Sequence, residues 1–360
     1  MSKEYYFVYF EPEEWVAFRE VKQFGSGGYA QTVYPSPYPF YGAIRSAILK
    51  AHGIELQYHK KPNIPKQLQE LVGDENNPGK IKLIGPFIYS EENGQKKHYF
   101  PAPKNVYLKQ NNEEKQYKRM QYFEAETKVG NFTLKGLAWI PEMINIEKAE
   151  EVYIELRELE KYKQGQSFKL SSPKNFVIES KVGIALEKDY KKVRESMLYT
   201  MNVYRFKNGG FFMITDSKET VQELEKLEGV FLGAKQKWAR ISVEKVTTTL
   251  FDKPENTDYE QTAIMLITPA IYDGGVAPSD LKFGSSQILA IASGKKMVIS
   301  GWDYAFGRPK PIYHAVAPGT VYYLENIPSE TDVIKKSKHN LFGFGSFIYT
   351  TYEKFKANIQ

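Results

Sequence analysis

The sequence contains no cysteine among its 360 residues, which excludes two classes of site at once. Without thiols the chain can form neither a disulfide framework nor a zinc site with thiolate ligands. Long apolar runs are also missing: the longest, Ile264 to Ile271, is interrupted by Thr268 and Pro269 and is much shorter than the roughly 18 residues that cross a bilayer. The first residues show no basic segment followed by an apolar stretch, so we expect no secretory signal and predict a soluble, cytoplasmic protein.

The motifs that assemble a catalytic site are missing too. There is no GxxxxGK[ST] phosphate loop, no GxSxG nucleophile elbow and no DxDxDG metal loop. Gly25 to Ala30 matches GxGxxA by letter, but a dinucleotide fold needs this motif directly between a strand and a helix. None of the five histidines is followed by glutamate or stands at metal-ligand spacing from another. We therefore predict no enzyme activity, no metal and no cofactor.

The residues that are present suit a folded protein with an anionic partner. Hydrophobic residues make up 42% of the chain and aromatic residues 14%, which is ample for packed cores. The net charge of +6 permits an anionic partner without requiring one. Between Lys60 and Arg119, twelve Lys or Arg residues stand against seven Asp or Glu residues. At ~150 residues per domain, the length suggests two or three domains.

Apolar patterning predicts the main elements of the first half. Tyr5 to Phe10 is apolar on both faces, which predicts a central strand. A helix is expected to begin near Gly42, because the apolar residues that follow lie on one helical face. The polar, basic stretch from Lys60 to about Gln121 is interpreted as an insertion or projecting loop. Glu147 to Lys163 is predicted to be an amphipathic helix.

The second half is predicted to consist mostly of strands. Met197 to Phe206 and Phe211 to Thr215 are expected to form a hairpin, because the residues between them are a strong turn signal. A short helix is predicted from Ser217, the N-cap, to Glu228. This order favours an α+β fold with mainly antiparallel sheets. We expect one domain over 1–165, with a basic insertion at about 55–121, and a second over 166–360.

The first of three segments that suit a polyanion runs from Arg19 to Arg45. Arg19 and Lys22 can neutralise phosphate, and the helix expected near Gly42 would place its positive dipole end beside Arg45. A glycine-rich stretch between them exposes successive backbone N–H groups, which form anion-binding concavities. That stretch consists of Gly25, Ser26, Gly27, Gly28 and Tyr29. The alternative is an ordinary surface loop.

The second segment, Gly301 to His314, alternates aromatic and cationic residues. Rings can stack on unpaired bases while cations hold phosphates. The candidate contacts are Trp302, Arg308, Lys310 and His314. The alternative is that Trp302 and Phe306 belong to the core and that Asp303 pairs with Arg308.

The third segment, Lys335 to Phe347, is a basic run that enters a second glycine-rich turn. Its candidate contacts are Lys338, His339, Gly343 and Gly345. A charge run by itself is usually a solvated surface, but a charge run that adjoins a Gly-x-Gly turn near the end of an α+β unit is less common. We therefore include these four residues in the candidate RNA-binding set.

Several blocks, in a constant order along the chain, resemble subunit three of the Cmr complex, the effector of type III-B CRISPR systems. Single blocks are weak signals, whereas their order and spacing are specific. The blocks are Phe18-Arg19-Glu20 with Phe24-Gly25, Pro39 to Arg45, Val182 to Leu186, Gly301-Trp302-Asp303, Arg308 to Pro311, and Ala317 to Tyr322.

The resemblance implies two ferredoxin-like (RRM-like) domains with insertions, the architecture of the RAMP superfamily. It implies a non-catalytic subunit that holds the 5′ tag of the guide CRISPR RNA at the base of the complex. The implied partners are the guide RNA, the large polymerase-like subunit and the backbone subunit. Target cleavage is assigned to the backbone subunit, and cyclic oligonucleotide synthesis to the large one.

Two alternatives remain open at the level of sequence. One is a guide-processing endoribonuclease of the same superfamily, which could use His52 or His314 as a general acid or base without metal. The other is the equivalent subunit of the type III-A complex. The long block from Gly301 to Tyr322 favours the type III-B subunit.

Overall fold

The computed structural model describes residues 4–18, 29–30, 32–111, 114–142, 144–149, 152–174, 176–186, 193–253, 261–303 and 306–356. The strands are β1 Glu4–Pro12, β2 Tyr29–Ala30, β3 Ile84–Glu92, β4 Gln95–Pro101, β5 Val106–Asn111, β6 Glu114–Arg119, β7 Gln121–Val129, β8 Phe132–Trp139, β9 Ile146–Lys148, β10 Tyr153–Glu155, β11 Phe176–Leu186, β12 Val193–Phe206, β13 Gly209–Thr215, β14 Gly229–Leu232, β15 Lys237–Thr247, β16 Thr262–Leu266, β17 Lys282–Phe283, β18 Ser286–Ala292, β19 Met297–Ile299, β20 Trp302–Asp303, β21 Arg308–Pro309, β22 Tyr313–Ala315, β23 Val321–Leu324 and β24 Phe347–Thr351. The helices are α1 Tyr38–Ala51, α2 Lys66–Val72, α3 Leu156–Lys163, α4 Lys218–Leu224 and α5 Glu330–Ile334.

A seven-stranded sheet, sheet 1, forms the larger half of the fold. Its strand order is β10-β4-β3-β13-β1-β15-β14. Every neighbouring pair is antiparallel. β1 lies between β13 and β15, and Phe7, Val8 and Phe10 are fully buried, so the predicted central strand is confirmed. Sheet 1 takes strands from both sides of residue 165, so a boundary there does not separate its strands.

A second antiparallel sheet, sheet 2, has the order β17-β18-β23-β16-β24. One face of each sheet contributes to a shared aromatic core. Phe7, Phe87 and Phe212 of sheet 1 belong to the same cluster as Met265 and Tyr323 of sheet 2. The two sheets therefore pack on each other, and burial of this apolar area is the main force that joins them.

Because side chains alternate along each strand, every second side chain lies on the sheet face opposite the shared core, and helices cover that face. Phe211 and Met213 point away from the shared core and pack with Phe40 and Ile44 of α1. On the far side of sheet 2, Val333 of α5 packs with strand residues of that sheet. The fold is α+β with mainly antiparallel sheets, as the sequence predicts.

Smaller sheets complete the described fold. They have the orders β11-β12-β2, β6-β5-β9, β7-β8, β19-β22 and β20-β21. β12 pairs with β11, whereas β13 pairs with β1 and β3, so the predicted hairpin of 197–206 with 211–215 is wrong. The two strands belong to different sheets, and the glycine pair between them lets the chain pass closely over Tyr89.

Three further expectations differ from the structure. The predicted helix 147–163 is wrong in its first half, because strands β9 and β10 precede the short helix α3. The predicted helix 217–228 ends earlier, at Leu224, although Ser217 does cap it by accepting a hydrogen bond from the Thr220 N–H at 3.2 Å. The interpretation of 60–121 as a projecting loop is wrong for β3 and β4, which lie within sheet 1.

Helix α1 begins at Tyr38 rather than near Gly42. Pro37 takes the N-cap position and Pro39 lies in the first turn, where a proline costs no hydrogen bond and has a suitable φ. Arg45 therefore lies about two turns inside the helix, so it gains nothing from the positive end of the helix dipole. Within the described part of the chain, no helix is long and apolar enough to cross a membrane.

Candidate nucleic-acid interface

Two side chains that the sequence singled out meet at one ring, that of Tyr38 at the start of α1, and a third lies near one of them. The ammonium nitrogen of Lys310 lies 5.2 Å from the centroid of the Tyr38 ring. The imidazole of His339 lies edge-on to the same ring, with the centroids 5.7 Å apart. Arg45, two turns further along α1, is close enough to change the pKa of Lys310. We call Arg45, Lys310 and His339 the cationic cluster.

Lys310 is positioned by a long hairpin over residues 297–315. β19 pairs with β22, and beyond them β20 pairs with β21. The Lys310 N–H donates to the Gly301 carbonyl at 2.9 Å, and the Ser300 hydroxyl donates to the Lys310 carbonyl at 2.8 Å. Because its backbone is held on both sides, the Lys310 side chain is directed across the hairpin toward Tyr38.

His339 is positioned by an unusual backbone conformation. Its φ of 57° is left-handed, and it caps a short 3-10 helix at Asn340–Phe342. Its imidazole also packs edge-on to Tyr313, with centroids 4.9 Å apart. Phe342 and Phe344 pack on the other side of Tyr38, with centroid distances of 5.7 and 5.0 Å. Aromatic packing thus joins the 339 turn to the hairpin and to α1.

The third member, Arg45, is held by backbone carbonyls instead of a carboxylate. Its two terminal nitrogens donate to the carbonyls of Asp74 at 2.9 Å and Gly73 at 3.1 Å. Its Nε is buried and has no hydrogen-bond partner among the described residues. A buried, charged donor without a partner is costly unless a ligand or water satisfies it.

The electrostatics of the cluster favour an anionic ligand. Burial lowers the pKa of Lys310; attraction to Asp303 raises it, repulsion from Arg45 lowers it by less than that, and attraction to Glu75 raises it slightly. Burial, followed by repulsion from Lys310 and then Lys338, lowers the pKa of His339. Among the described residues, neither Arg45 nor Lys310 forms an ion pair with a carboxylate. An anion bound here would offset the repulsion between these groups.

Other predicted contacts lie elsewhere on the same hairpin. Trp302 is 54% exposed, and Arg308 is exposed with its guanidinium carbon 5.1 Å from the Phe306 ring centroid. His314, in β22, is exposed opposite Val298. The alternative that Trp302 and Phe306 belong to the core is wrong, because both rings are exposed. Asp303 lies opposite Arg308 in the β20–β21 pair and accepts a hydrogen bond from the Phe306 N–H at 3.1 Å.

The glycines of the second glycine-rich turn serve packing. The Gly343 N–H donates to the Asn340 carbonyl and the Gly345 N–H to the Pro269 carbonyl, both at 2.8 Å. A Cβ on Gly343 would lie 2.5 Å from the Leu83 carbonyl oxygen, so the chain passes there with no room for a side chain. These two amides are therefore occupied within the protein. The side chain of Lys338, in contrast, is exposed beside the cluster.

Most candidates of the first segment lie outside the described residues: Arg19, Lys22, Gly25, Ser26, Gly27 and Gly28. Tyr29 is described only as part of β2, which pairs in parallel with β12.

Sequence reasoning missed Tyr38, whose ring contacts Lys310 and His339 of the cluster. Its position two residues before Phe40 in a proline-rich stretch gave no signal of this role. It also missed the carbonyls of Gly73 and Asp74, because a backbone acceptor leaves no trace in side-chain patterns.

His52, one of the two histidines considered as a general acid or base, contacts the backbone of its own helix. The Nδ1 of His52 lies 2.9 Å from the Ile48 carbonyl oxygen at the end of α1. The described residues include no group of three or more His, Cys, Asp or Glu side chains that could hold a metal. What the arrangement does provide is positively charged side chains next to aromatic rings.

Comparison with known proteins agrees with this architecture. The model of a family described as "CRISPR-associated protein (Cas_Cmr3)" matches residues 8–351. A chain in the cryo-EM structure of the type III-B Cmr-beta bound to cognate target RNA is 16% identical, with a TM-score of 0.52 over 95% of this chain and 96% of that one. A chain of the same assembly bound to target RNA and AMPPnP is 17% identical, with a TM-score of 0.50 over 88% of this chain and 86% of that one. No curated protein matches the chain.

The two structural matches show that these chains share a fold, while the family match extends over nearly the whole sequence. The family model matches the sequence from residue 8 to residue 351, a range that includes both packed antiparallel sheets, so the chain is a CRISPR-associated protein. The chain belongs to the Cas_Cmr3 family. The resemblance seen in the sequence blocks is therefore confirmed.

Proposed function

We propose that the protein is a non-catalytic subunit of a type III-B CRISPR effector, in which it binds the guide RNA by its 5′ tag and contacts the large polymerase-like subunit and the backbone subunit. Family membership and the shared fold with chains of an RNA-bound Cmr-beta assembly support this role. The observation that carries it is the cationic cluster, where Arg45 and Lys310 converge without an ion pair among the described residues, while the nearby carboxylates of Asp303 and Glu75 offset part of their charge.

The cluster suits the phosphates of the guide rather than its bases. Arg45 is partly buried and fixed by two carbonyls, so it presents charge without a free edge for base recognition. Phosphate contacts position a nucleic acid and are independent of its sequence. Arg19, Lys22 and the 25–28 stretch remain in the proposed interface on sequence grounds, as do Trp302, Arg308, His314 and Lys338. Gly343 and Gly345 are left out, because their amides are occupied.

The strand order supports the proposal of two ferredoxin-like domains. β1 and β3 are joined through α1 with β13 between them, and β13 and β15 are joined through α4 with β1 between them. In sheet 2, β23 and β24 are joined through α5 with β16 between them. This split βαβ arrangement is typical of ferredoxin-like domains. We propose that the boundary lies between β15 and β16 and that residues 95–206 are an insertion in the first domain.

Titration of guide RNA into the assembled effector tests the phosphate role. Replacement of Arg45 and Lys310 together (Arg45→Ala with Lys310→Ala) is expected to weaken binding of tagged and scrambled guides alike. The slope of log affinity against log salt should fall by up to ~0.7 for each lost single-strand phosphate contact. The matched control, Arg157→Ala with Lys296→Ala, removes the same charge from exposed positions away from the cluster and should leave both guides bound as in wild type.

Unchanged binding of both guides by the Arg45 and Lys310 double variant would show that the cluster does not hold the guide. The rival role of guide-processing endoribonuclease has its own test. The pure chain is incubated with repeat RNA in the absence of metal, and we expect no cleavage. Cleavage that is abolished by His52→Ala or His314→Ala would replace the proposed role with the enzymatic one.

A further inference from the structure

Two loops that are far apart in sequence meet at the tip of the 297–315 hairpin. Gly307 has a φ of +59°, and a Cβ there would overlap the imidazole of His59. His59 itself has a left-handed φ of 61°, and its ring packs against that of Tyr58 with centroids 4.1 Å apart. The loop that precedes α2 therefore packs directly against the hairpin tip.

This contact gathers aromatic rings that remain open to solvent. Tyr58 is 49% exposed, and Phe306, which adjoins Gly307, is 46% exposed. Trp302 is exposed too, but it lies opposite Pro309 while Asp303 lies opposite Arg308, so strand alternation directs it to the face away from Arg308 and the Phe306 ring. Single exposed apolar residues are common on proteins, but neighbouring exposed rings mark an interaction surface. We call Tyr58, His59 and Phe306 the aromatic surface.

Cations without acidic partners accompany these rings. Lys60 and Lys61 follow His59 directly and are exposed. Arg308 lies over the Phe306 ring, and its cross-strand neighbour Asp303 is hydrogen-bonded to the Phe306 amide instead. None of Lys60, Lys61 and Arg308 has an ion pair among the described residues. An excess of positive charge around exposed rings complements a polyanion that carries planar groups.

We propose that the aromatic surface stacks unpaired bases of single-stranded RNA, with Lys60, Lys61 and Arg308 holding the adjoining phosphates. This inference rests on the proposed function and adds the loop at residues 58–61 to the interface. Stacking on aromatic rings tolerates any base, and cations beside the rings add to it. Lys310 lies on the same hairpin but points to Tyr38, so the cationic cluster and the aromatic surface bind different parts of the strand.

Two RNA strands that carry the same charge, one with bases and one without, can distinguish base stacking from phosphate binding. The full-length chain is titrated with a short, fluorescently labelled oligouridylate and with an abasic ribose-phosphate strand of equal length. Tyr58→Ala and Phe306→Ala are each expected to weaken oligouridylate binding roughly tenfold and to leave abasic binding unchanged. Trp139→Ala is the matched control, because Trp139 is a 41% exposed ring on β8 outside this surface.

The outcomes distinguish this inference from the proposed function. Wild-type affinity of Tyr58→Ala and Phe306→Ala for oligouridylate overturns the inference alone, and so does an equal loss of affinity for both RNA strands. If those variants bind both strands normally but fail to join the effector, the surface contacts a protein, which also overturns it. No binding of either strand by the wild-type chain overturns the proposed RNA binding together with the inference.

Discussion

Asn105 is only 1% exposed, and both ends of its side-chain amide have partners. The Tyr162 hydroxyl donates to its Oδ1 at 2.8 Å, and its Nδ2 donates to the Tyr323 hydroxyl at 3.1 Å. This residue thereby joins α3 to sheet 2 through a buried polar network. Asn105→Leu would remove the acceptor of the Tyr162 hydroxyl, while the Tyr323 hydroxyl would still donate to the Met120 carbonyl at 3.0 Å. We therefore expect a loss of roughly 1–3 kcal/mol in the free energy of unfolding, measured by urea titration.

The control for this prediction is Asn76→Ala, at an exposed position whose side chain is outside the network. Exposed substitutions of this kind change stability by less than about 0.5 kcal/mol. If Asn105→Leu behaved like Asn76→Ala, the buried network would contribute nothing to stability.

His98 provides a pH-dependent contribution to stability. Its Nε2 lies 2.8 Å from the Tyr9 hydroxyl, and its ring packs edge-on to Phe7 and Phe212. Burial lowers the pKa of His98 from 6.5 to about 4, so the folded protein holds it neutral. Since the unfolded chain binds the proton more tightly, the stabilisation is present above about pH 6.5 and is lost as the pH falls toward about 4.

We therefore expect acid to destabilise the wild type more than His98→Gln, which keeps a polar group for Tyr9 but does not titrate. The difference in unfolding free energy between the two proteins should change by roughly 3 kcal/mol between about pH 7 and about pH 4. Urea titrations at several pH values measure this difference. A difference that is independent of pH would show that His98 can take up a proton in the folded protein.

At the scale of elements, the apolar pattern of a segment predicted a strand or helix correctly where that pattern also indicated how the element is packed. β1 was predictable because a strand that is apolar on both faces has to lie inside a sheet. The helix expected at 147–163 failed because its first residues pair with β5 and β4, which lie far away in sequence. The hairpin expected about residues 207–210 failed for a similar reason: a glycine turn allows a change of sheet as readily as a hairpin.

Gly343 and Gly130 form a matched pair that separates backbone strain from close packing. Both have positive φ, +81° and +60°, but only Gly343 has a neighbour in the way, since a Cβ on Gly130 would meet nothing within 4 Å. Alanine at either site incurs the left-handed cost of about 1–2 kcal/mol. Gly343→Ala must also push the 3-10 helix from the Leu83 carbonyl, so we expect it to destabilise by roughly 2 kcal/mol more.

Thermal unfolding of both glycine variants measures this difference. Because Gly343 follows Phe342, which packs on Tyr38, its substitution should also disturb the cationic cluster and weaken guide binding. Equal stability of the two variants would mean that the backbone near Leu83 moves to accommodate the new Cβ without a loss of unfolding free energy.

At the scale of the whole molecule, the sequence indicated which segments carry charge and rings but not which of them meet. Arg45 was assigned to the 19–45 segment, yet it lies with Lys310 and His339, because α1 packs across sheet 1 toward the hairpin. The contact of His59 with Gly307 is likewise a product of tertiary structure, since the two residues are far apart in the sequence. Long-range convergence of this kind leaves no periodicity in the sequence.

The basic region is an integral part of the molecule, and its removal should show this. A deletion of residues 91–115 removes β4, including the buried Phe100, together with all of β5 and the start of β6. β4 pairs with both β3 and β10, so sheet 1 would lose one side, and we expect no cooperatively folded protein. Circular dichroism and size-exclusion chromatography measure this. The control, Asn112→Gly with Glu113→Gly, keeps every described strand and should fold; a folded deletion variant would contradict the prediction.

The shared core predicts that the two sheets unfold as one unit, although each has the strand order of a separate domain. Phe7 of β1 is fully buried in the same cluster as Met265 of β16. Phe7→Ala should therefore cost about 3–5 kcal/mol and lower the protection of both strands against amide hydrogen exchange by the same free energy. The exposed variant Tyr58→Ala should change neither strand. If Phe7→Ala speeds exchange in β1 and leaves β16 at its wild-type rate, the sheets are independent domains that merely touch. Equal loss in both strands means that no cut between β15 and β16 would release a stable fragment, because each sheet depends on the other to bury its inner face.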